Sequence, residues 1–194
     1  MDSRRFEQTV VWHCAPALAG LKPACLMSLS AEEFPELPRL AGQYNARMGE
    51  DGPRFLVLCR CPRGALLLVY REALLRRALD QPGARAILKV TGYPVGASLP
   101  MMLRCLIRRL EESEGFPHEI GLFLGYPPED VEGFLTDVDG TRCKLRGDWK
   151  VYHDVEGAKR RFAQFRRCRD QLWARLERGF TLSQLFGGAR ARTA

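Results

Sequence analysis

The residue types best suited to chemistry are adjacent at two places in this sequence, His118-Glu119 and His13-Cys14. A cysteine acts as a nucleophile when a base activates it, and that base needs a third group to orient it. We therefore predict Cys14 as a nucleophile, His118 as its base and Glu119 as the orienting group. Such a triad suits thiol transfer, acyl transfer or hydrolysis. It requires that folding bring the two segments together, and the sequence leaves open whether the protein is an enzyme.

The same residues also offer ligands for a metal. His13, Cys14 and His118 supply two nitrogens and one sulfur, a mixture that suits a transition metal or haem iron. The histidines have no metal-binding spacing of their own, and Cys59-Arg60-Cys61 has no second close pair to complete four ligands. A metal or haem handling protein is therefore an alternative, and the sequence identifies no cofactor.

Basic and aromatic residues near these segments predict a pocket. Lys22 belongs to the segment 13–22, which we expect to be a loop, and Lys150 lies between aromatic residues in an expected strand, 149–152. We predict that the 13–22 loop, the 118–130 block and the 149–152 strand enclose a small molecule or cofactor, with an acidic small molecule as the partner. The predicted ligand-binding residues are His13, Lys22, Tyr126, Asp130, Trp149, Lys150, Tyr152 and Arg169.

Positive charge is concentrated in the last long helix, predicted over residues 155–178. The chain has a net charge of +7 and a pI of 9.2, supplied mainly by arginine. Helical spacing places four arginines opposite the apolar side: Arg160, Arg167, Arg175 and Arg178. A nucleic-acid-binding or regulatory module is therefore a further alternative. Arg169 instead falls on the apolar side, where it either snorkels past its neighbours or meets a buried carboxylate or an anionic ligand.

Composition narrows the class of protein. The chain has 194 residues, of which 46% are hydrophobic and 27% charged, values typical of a soluble globular protein. No apolar run approaches the length of a membrane span, and the first residues lack the apolar region of a secretory signal. We expect a cytoplasmic location and no membrane partner. Seven scattered cysteines do not form a disulfide framework, and the sequence does not indicate an oligomeric state.

The elements that must position these residues are predicted from apolar patterns. The segments 54–61 and 64–70 are almost continuously apolar and predict a buried β-hairpin. Helices are predicted over 71–79, 82–91, 99–112, 129–135 and 155–178, with a hairpin or strand over 142–152 and a helical turn over 182–186. We predict an α/β fold of mixed α+β type, a single helix-rich domain over residues 1–187 around a small sheet centred on the 54–70 hairpin. A flexible basic tail, 188–194, follows.

Three further segments carry less regular signals. A short helix over 4–13 is expected to give way to a loop that extends to Pro23, because Pro16, Gly20 and Pro23 interrupt the pattern. Ser30 and Glu33 match a capping box and predict a helix start. Residues 120–124 form a short apolar run that predicts a buried strand, with Gly-Tyr-Pro as the loop at its carboxyl edge, where ligands usually bind in α/β sheets.

Four motifs together resemble an uncharacterised bacterial domain-of-unknown-function family (DUF3793-like), best represented in anaerobic bacteria. They are HCAPxLAGxK at 13–22, FPHEIGxFLGYPxxDVxGF at 116–134, WKVY at 149–152 and RC at 167–168. The resemblance covers about residues 8–186. It implies a single-domain cytosolic protein, and it implies no activity because none is established for the family. Common motifs of kinases, dehydrogenases and serine hydrolases, including G-x-x-x-x-G-K-[ST], G-x-G-x-x-G and G-x-S-x-G, do not occur.

Overall fold

The computed structural model describes residues 3–61, 64–112 and 115–187. It is 55% helical and 15% strand, which confirms the prediction of a helix-rich mixed α/β fold. The chain packs as two compact units. Unit 1 contains the described residues up to Leu74 and from Arg167 onward, and unit 2 contains Leu75–Arg166. The single domain over 1–187 stays a prediction, and the predicted tail, 188–194, lies outside the described residues.

A three-stranded antiparallel sheet forms the centre of unit 1. Its strands are β1 (Ala24–Ser30), β2 (Arg54–Cys61) and β3 (Gly64–Tyr70), in the order β1-β3-β2. Tyr70 at the end of the central strand pairs with Ala24 on one side and Arg54 on the other. The structure therefore confirms the 54–70 hairpin and places it in a small sheet, with only β3 flanked by strands on both sides.

The capping-box prediction at Ser30 is wrong because Ser30 is the last residue of β1. The alternation of buried Met27 and Leu29 with exposed Ser28 and Ser30 has the period of a half-buried strand. Ser30 Oγ accepts a hydrogen bond from the backbone N–H of Glu32 in the turn that follows. The helix that follows this turn is α2 (Leu37–Arg47), which begins after Pro35.

The first helix is longer than expected, because α1 (Ser3–Leu18) continues into the first part of the predicted loop. Pro16 lies inside it, although proline disfavours a helix interior. Gly20, just after the helix, has φ +74°, and its N–H bonds to the Ala17 carbonyl while Leu21 N–H bonds to the Pro16 carbonyl. This is a Schellman cap. Burial of its last residues against the unit 1 core offsets the proline penalty.

Unit 1 also contains α9 (Leu182–Phe186) and the later part of α8 (Val155–Glu177). The helix α3 (Glu72–Leu79) begins in unit 1 and ends in unit 2. One core connects α1, the sheet, α2 and the later part of α8. Its members include Phe6, Val10, Leu67, Val69 and Leu172. The segments predicted as α3, α8 and α9 are confirmed within two residues.

Unit 2 is built mainly of helices. They are α4 (Pro82–Val90), α5 (Leu99–Glu112), α6 (Ile120–Phe123), α7 (Pro128–Thr136) and the first part of α8. A two-stranded hairpin of β4 (Leu145–Arg146) and β5 (Lys150–Val151) accompanies them, with Leu145 opposite Val151 and Arg146 opposite Lys150. The predictions for α4, α5, α7 and this hairpin are confirmed.

The strand prediction for residues 120–124 is wrong, since this apolar run forms α6. A short run buried on all sides has no periodicity that separates strand from helix. Gly125, at φ +74°, ends α6 with a second Schellman cap, in which Gly125 N–H bonds to the Leu122 carbonyl and Tyr126 N–H to the Gly121 carbonyl. The Gly-Tyr-Pro turn therefore connects two helices. Within the described residues, no helix combines the length and hydropathy required to cross a membrane.

Candidate ligand-binding cavity

Asp130, in the first turn of α7, organises unit 2 around its carboxylate. The residue is 3% exposed. Its Oδ2 accepts a hydrogen bond of 2.7 Å from Trp149 Nε1, and its Oδ1 accepts bonds of 2.8 and 3.0 Å from the backbone N–H groups of Tyr152 and His153. All three donors belong to β5 or its immediate neighbours. Hydrogen bonds to a carboxylate are stronger than those between neutral groups, so Asp130 fastens α7 to the hairpin.

A second buried carboxylate, Asp137, fastens the other end of α7. Its Oδ2 accepts a hydrogen bond of 3.1 Å from the Tyr152 hydroxyl, and its Oδ1 accepts one of 3.2 Å from the backbone N–H of Arg142. Burial alone would raise the pKa of Asp137, but these bonds and the Arg142 guanidinium hold the pKa below its ordinary value. Burial and the bond to Asp137 raise the pKa of Tyr152 to about 12, so Tyr152 remains a donor at neutral pH.

The Asp137 interactions predict a pH-dependent contribution to stability. The pKa of Asp137 is lower in the folded chain than its ordinary value of 3.8, so the stabilisation is complete above that pH and is lost as the pH falls through the folded-state pKa. Asp137→Asn is expected to lower the free energy of unfolding at pH 7, and the difference from the wild type should shrink as the pH falls below 3.8. Urea unfolding across this range measures it. Asp139→Asn, at an exposed turn, is the control, and a difference that stays constant with pH would contradict the assignment.

A cavity of about 210 Å³ lies beside this framework. Aliphatic and aromatic side chains make up most of its wall, together with one acidic residue, Asp130, and two basic ones, His118 and Lys150. The lining residues are Phe116, His118, Ile120, Gly121, Leu124, Tyr126, Asp130, Val131, Phe134, Trp149 and Lys150. The cavity therefore combines a mainly apolar surface with a few polar groups, which is the usual character of a small-molecule site.

The aromatic wall is held in place by stacking and hydrogen bonds. The Tyr126 ring stacks on Trp149 with centroids 5.1 Å apart and an interplanar angle of 26°, and the Tyr126 hydroxyl donates to the Asp148 carbonyl. Phe162 meets the Trp149 ring edge to face at 4.6 Å. Gly121 leaves room for the Tyr126 ring, because a Cβ at that position would lie 2.9 Å from Tyr126 Cδ2. These contacts fix the wall before any ligand binds.

Two basic side chains of the lining contact Phe134. The His118 ring meets it edge to face with centroids 4.8 Å apart, and Lys150 Nζ lies 4.7 Å from the centroid of its ring. His118 is exposed to solvent and Lys150 is half-buried. Phe134 lies four residues after Asp130 on α7, so both project from the same side of that helix.

Glu119 has a structural role in unit 2. The side chain is 4% exposed, and its Oε1 pairs with Arg109 Nε at 2.5 Å. The same oxygen accepts a hydrogen bond of 3.3 Å from the Tyr93 hydroxyl, and burial together with this carboxylate raises the pKa of Tyr93. No hydrogen bond among the described residues joins Glu119 to His118. The orienting role predicted for Glu119 thus has no geometric support.

Cys14 has the environment of a core residue in unit 1. It is fully buried on α1, with Sγ 3.5 Å from Met27 Sδ, whereas the neighbouring His13 is exposed on another side of the helix. Burial, and then a hydrogen bond with Cys25, raise the pKa of the Cys14 thiol well above its ordinary value; nearby Lys22 opposes the shift. Nucleophilic cysteines have lowered pKa values and access to substrate, so these properties oppose the predicted role.

Arg169 meets an aromatic ring and an exposed carboxylate, so it matches neither full snorkelling into solvent nor pairing with a buried carboxylate. It lies on α8 in unit 1, with its guanidinium carbon 4.7 Å from the centroid of the exposed Trp12 ring and its Nε 3.8 Å from Asp170 Oδ1. A cation over an indole face is a favourable contact. Nε is buried and has no hydrogen-bond partner in the part of the chain that the structure describes.

The metal alternative has no assembled site among the described residues, and the nucleic-acid alternative rests on the arginine-rich side of α8. Within residues 3–61, 64–112 and 115–187, no three His, Cys, Asp or Glu side chains are arranged to hold a metal ion. Arg160, Arg167, Arg175 and Arg178 are exposed, as predicted for a solvated helix face. Nucleic-acid binding by that face stays a prediction.

The structure brings together five of the predicted residues at the cavity: His118, Tyr126, Asp130, Trp149 and Lys150. Tyr152 does not line the cavity but supports α7, because its backbone N–H donates to Asp130 and its hydroxyl donates to Asp137. His13, Cys14, Lys22 and Arg169 belong to unit 1. Sequence reasoning missed Phe134 and Val131, although their spacing from Asp130 on a predicted helix was a usable signal.

Fold and site define a helix-rich mixed α/β protein with a preformed, mainly apolar cavity organised by a buried carboxylate. The chain belongs to the family described as "Protein of unknown function (DUF3793)", whose model matches residues 10–186. This confirms the resemblance drawn from the sequence motifs. Comparison with curated proteins and with solved structures gave no match.

Proposed function

We propose that the protein binds a small, largely apolar molecule in the cavity of unit 2. The observation that supports this is the cavity itself, about 210 Å³ with a mainly aliphatic and aromatic wall. Pockets for drug-sized ligands usually measure about 300–1,000 Å³, so the ligand is expected to be smaller, of the size of one substituted aromatic ring.

The rigidity of the wall supports the proposal. Asp130 binds three donors of the hairpin, and Tyr126 is held by stacking on Trp149 and by its hydroxyl. A ligand that binds against side chains already fixed in this way loses less affinity than one that must order them first. Phe134 has fewer constraints and is half-buried, so its ring is the part of the wall best placed to close on a ligand.

Binding of para-fluorotoluene tests the proposal, because this probe is neutral, apolar and of suitable size. Fluorine NMR of the full chain is expected to show saturable binding in the millimolar range or tighter. Phe134→Ala removes part of the aromatic wall and should weaken binding about tenfold, since burial of one aromatic face is worth on the order of 1–2 kcal/mol.

The matched control is Leu135→Ala, which truncates the neighbouring exposed side chain. It should leave the affinity for para-fluorotoluene unchanged. Absence of binding to the wild type, or equal loss in both variants, would contradict the location of the site.

A further inference from the structure

We infer that the natural ligand of this cavity is a small aromatic monocarboxylate whose carboxylate is bound by Lys150. The inference rests on the proposed function and adds the chemical class of the ligand. It follows from the charges that the protein leaves available at the cavity.

The negative charge among the lining residues is already engaged in hydrogen bonds within the protein. Asp130 is the one carboxylate among the lining residues, and both of its oxygens accept hydrogen bonds from the hairpin. Its acceptors therefore point into the protein framework. A cationic ligand would have to compete with three short hydrogen bonds for this carboxylate, which disfavours an amine as the ligand.

The positive charge of Lys150, in contrast, is not neutralised by a carboxylate of the described residues. Among the described residues, no carboxylate lies within ion-pair distance of Lys150 Nζ, which rests on the Phe134 ring. A lysine ammonium has three hydrogen-bond donors, and an aromatic face accepts none of them in the manner of an oxygen. A ligand carboxylate next to Phe134 would supply these acceptors in a partly dehydrated place, where charge-assisted hydrogen bonds are strongest.

The cross-strand partner of Lys150 gives an independent indication. Arg146 on β4 lies directly opposite Lys150 on β5, so the two basic side chains project from the same face of the hairpin. Like charges at directly opposed positions are unfavourable in an antiparallel pair. An anion beside Lys150 would relieve this repulsion. The acidic residue closest along the hairpin, Asp148, is exposed and contributes its backbone carbonyl to Tyr126.

The remaining lining residues determine the shape and polarity of the ligand outside its carboxylate. Beyond Lys150, the ligand would meet the rings of Phe134 and Tyr126 and the aliphatic side chains of Leu124 and Val131. Flat apolar groups pack well against such rings, and the volume admits about one ring with a short side chain. An aryl acetate has this shape and charge.

The experiment compares para-fluorophenylacetate with para-fluorophenylacetamide, which differ mainly in charge. Fluorine NMR titration of the full chain is expected to show at least tenfold tighter binding of the acid, as one charge-assisted hydrogen bond provides. Lys150→Met should abolish this preference while the affinity for the amide and for para-fluorotoluene stays within about twofold. Lys150→Arg should retain the preference.

The control is Lys144→Met, which removes a lysine of the same loop and hairpin region that does not line the cavity. It should leave the preference for the acid intact. Equal binding of acid and amide to the wild type, or a preference that survives Lys150→Met, would overturn the inference and leave the apolar site standing. If para-fluorotoluene, acid and amide all fail to bind, the proposed function itself is overturned.

Discussion

Asp130→Asn is expected to lower the free energy of unfolding by about 2–4 kcal/mol, the largest effect of a single isosteric change in unit 2. The variant loses the charge that strengthens three hydrogen bonds, and its amide NH₂ must face a donor, either the Trp149 indole or the backbone of Tyr152 and His153. A buried donor left without an acceptor costs about 1–3 kcal/mol. Urea unfolding followed by tryptophan fluorescence measures the change.

Glu129→Gln is the matched control, because Glu129 occupies the same turn of α7 but is exposed. Its effect should remain within about 0.5 kcal/mol. If Asp130→Asn were as stable as Glu129→Gln, the carboxylate would not be the element that joins α7 to the hairpin.

Arg109→Met is expected to destabilise the protein by about 2–3 kcal/mol. It leaves the carboxylate of Glu119, whose side chain is 4% exposed, with the Tyr93 hydroxyl as its remaining partner. Removal of one partner from a buried ion pair typically costs about 3–5 kcal/mol. The lower value is expected here because the Arg109 side chain is 32% exposed and solvent screens part of the pair.

A second substitution separates charge from packing. Glu119→Gln in the Arg109→Met background removes the unpaired charge but keeps an acceptor for Tyr93. It should therefore restore about 1 kcal/mol of the free energy of unfolding. Arg108→Met provides the control, since Arg108 is exposed and its pair with Glu112 is 3.8 Å long. Failure of the double variant to recover stability would show that the aliphatic part of Arg109, and not its charge, carries the effect.

Elements with strong periodicity or clear end signals could be predicted from the sequence. The helix Leu99–Glu112 has apolar residues at helical spacing on one side, and the strands Arg54–Cys61 and Gly64–Tyr70 are two almost continuously apolar runs. In both, local preference and tertiary environment agree. The sequence therefore determines their type and nearly all of their bounds.

The incorrect predictions share a different cause. Ile120–Phe123 is apolar on every side, so its conformation is decided by what surrounds it. Pro16 and Ser30 are strong local signals, but burial of Leu18 on α1 and of Leu29 on β1 outweighs them. Tertiary packing routinely overrides propensities of about 1 kcal/mol, and a single sequence does not reveal that packing.

The candidate site was only partly predictable, because the sequence shows which residues are neighbours but not which hydrogen bonds they form after folding. Its residues cluster in two short segments, so Tyr126, Asp130, Trp149 and Lys150 were recognisable as a group of polar and aromatic side chains beside turns. Their roles were not recognisable. The difference between Asp130, whose oxygens are saturated, and Lys150, whose ammonium is available, depends on hydrogen bonds that arise only in the folded chain.

The division into two units has a consequence for the order in which the chain folds. The bonds of Asp130 join residues 19 to 23 positions apart, so unit 2 assembles through short loops. Unit 1 depends on both ends of the chain: Cys168 Sγ donates to the Ala15 carbonyl across 153 positions. During synthesis, β1, β2, β3 and α2 can cover most of the apolar side of α1 early, whereas the part that contacts α8 stays uncovered until α8 has left the ribosome. We therefore expect this patch of unit 1, and not the cavity region, to be the apolar surface that is covered late during synthesis.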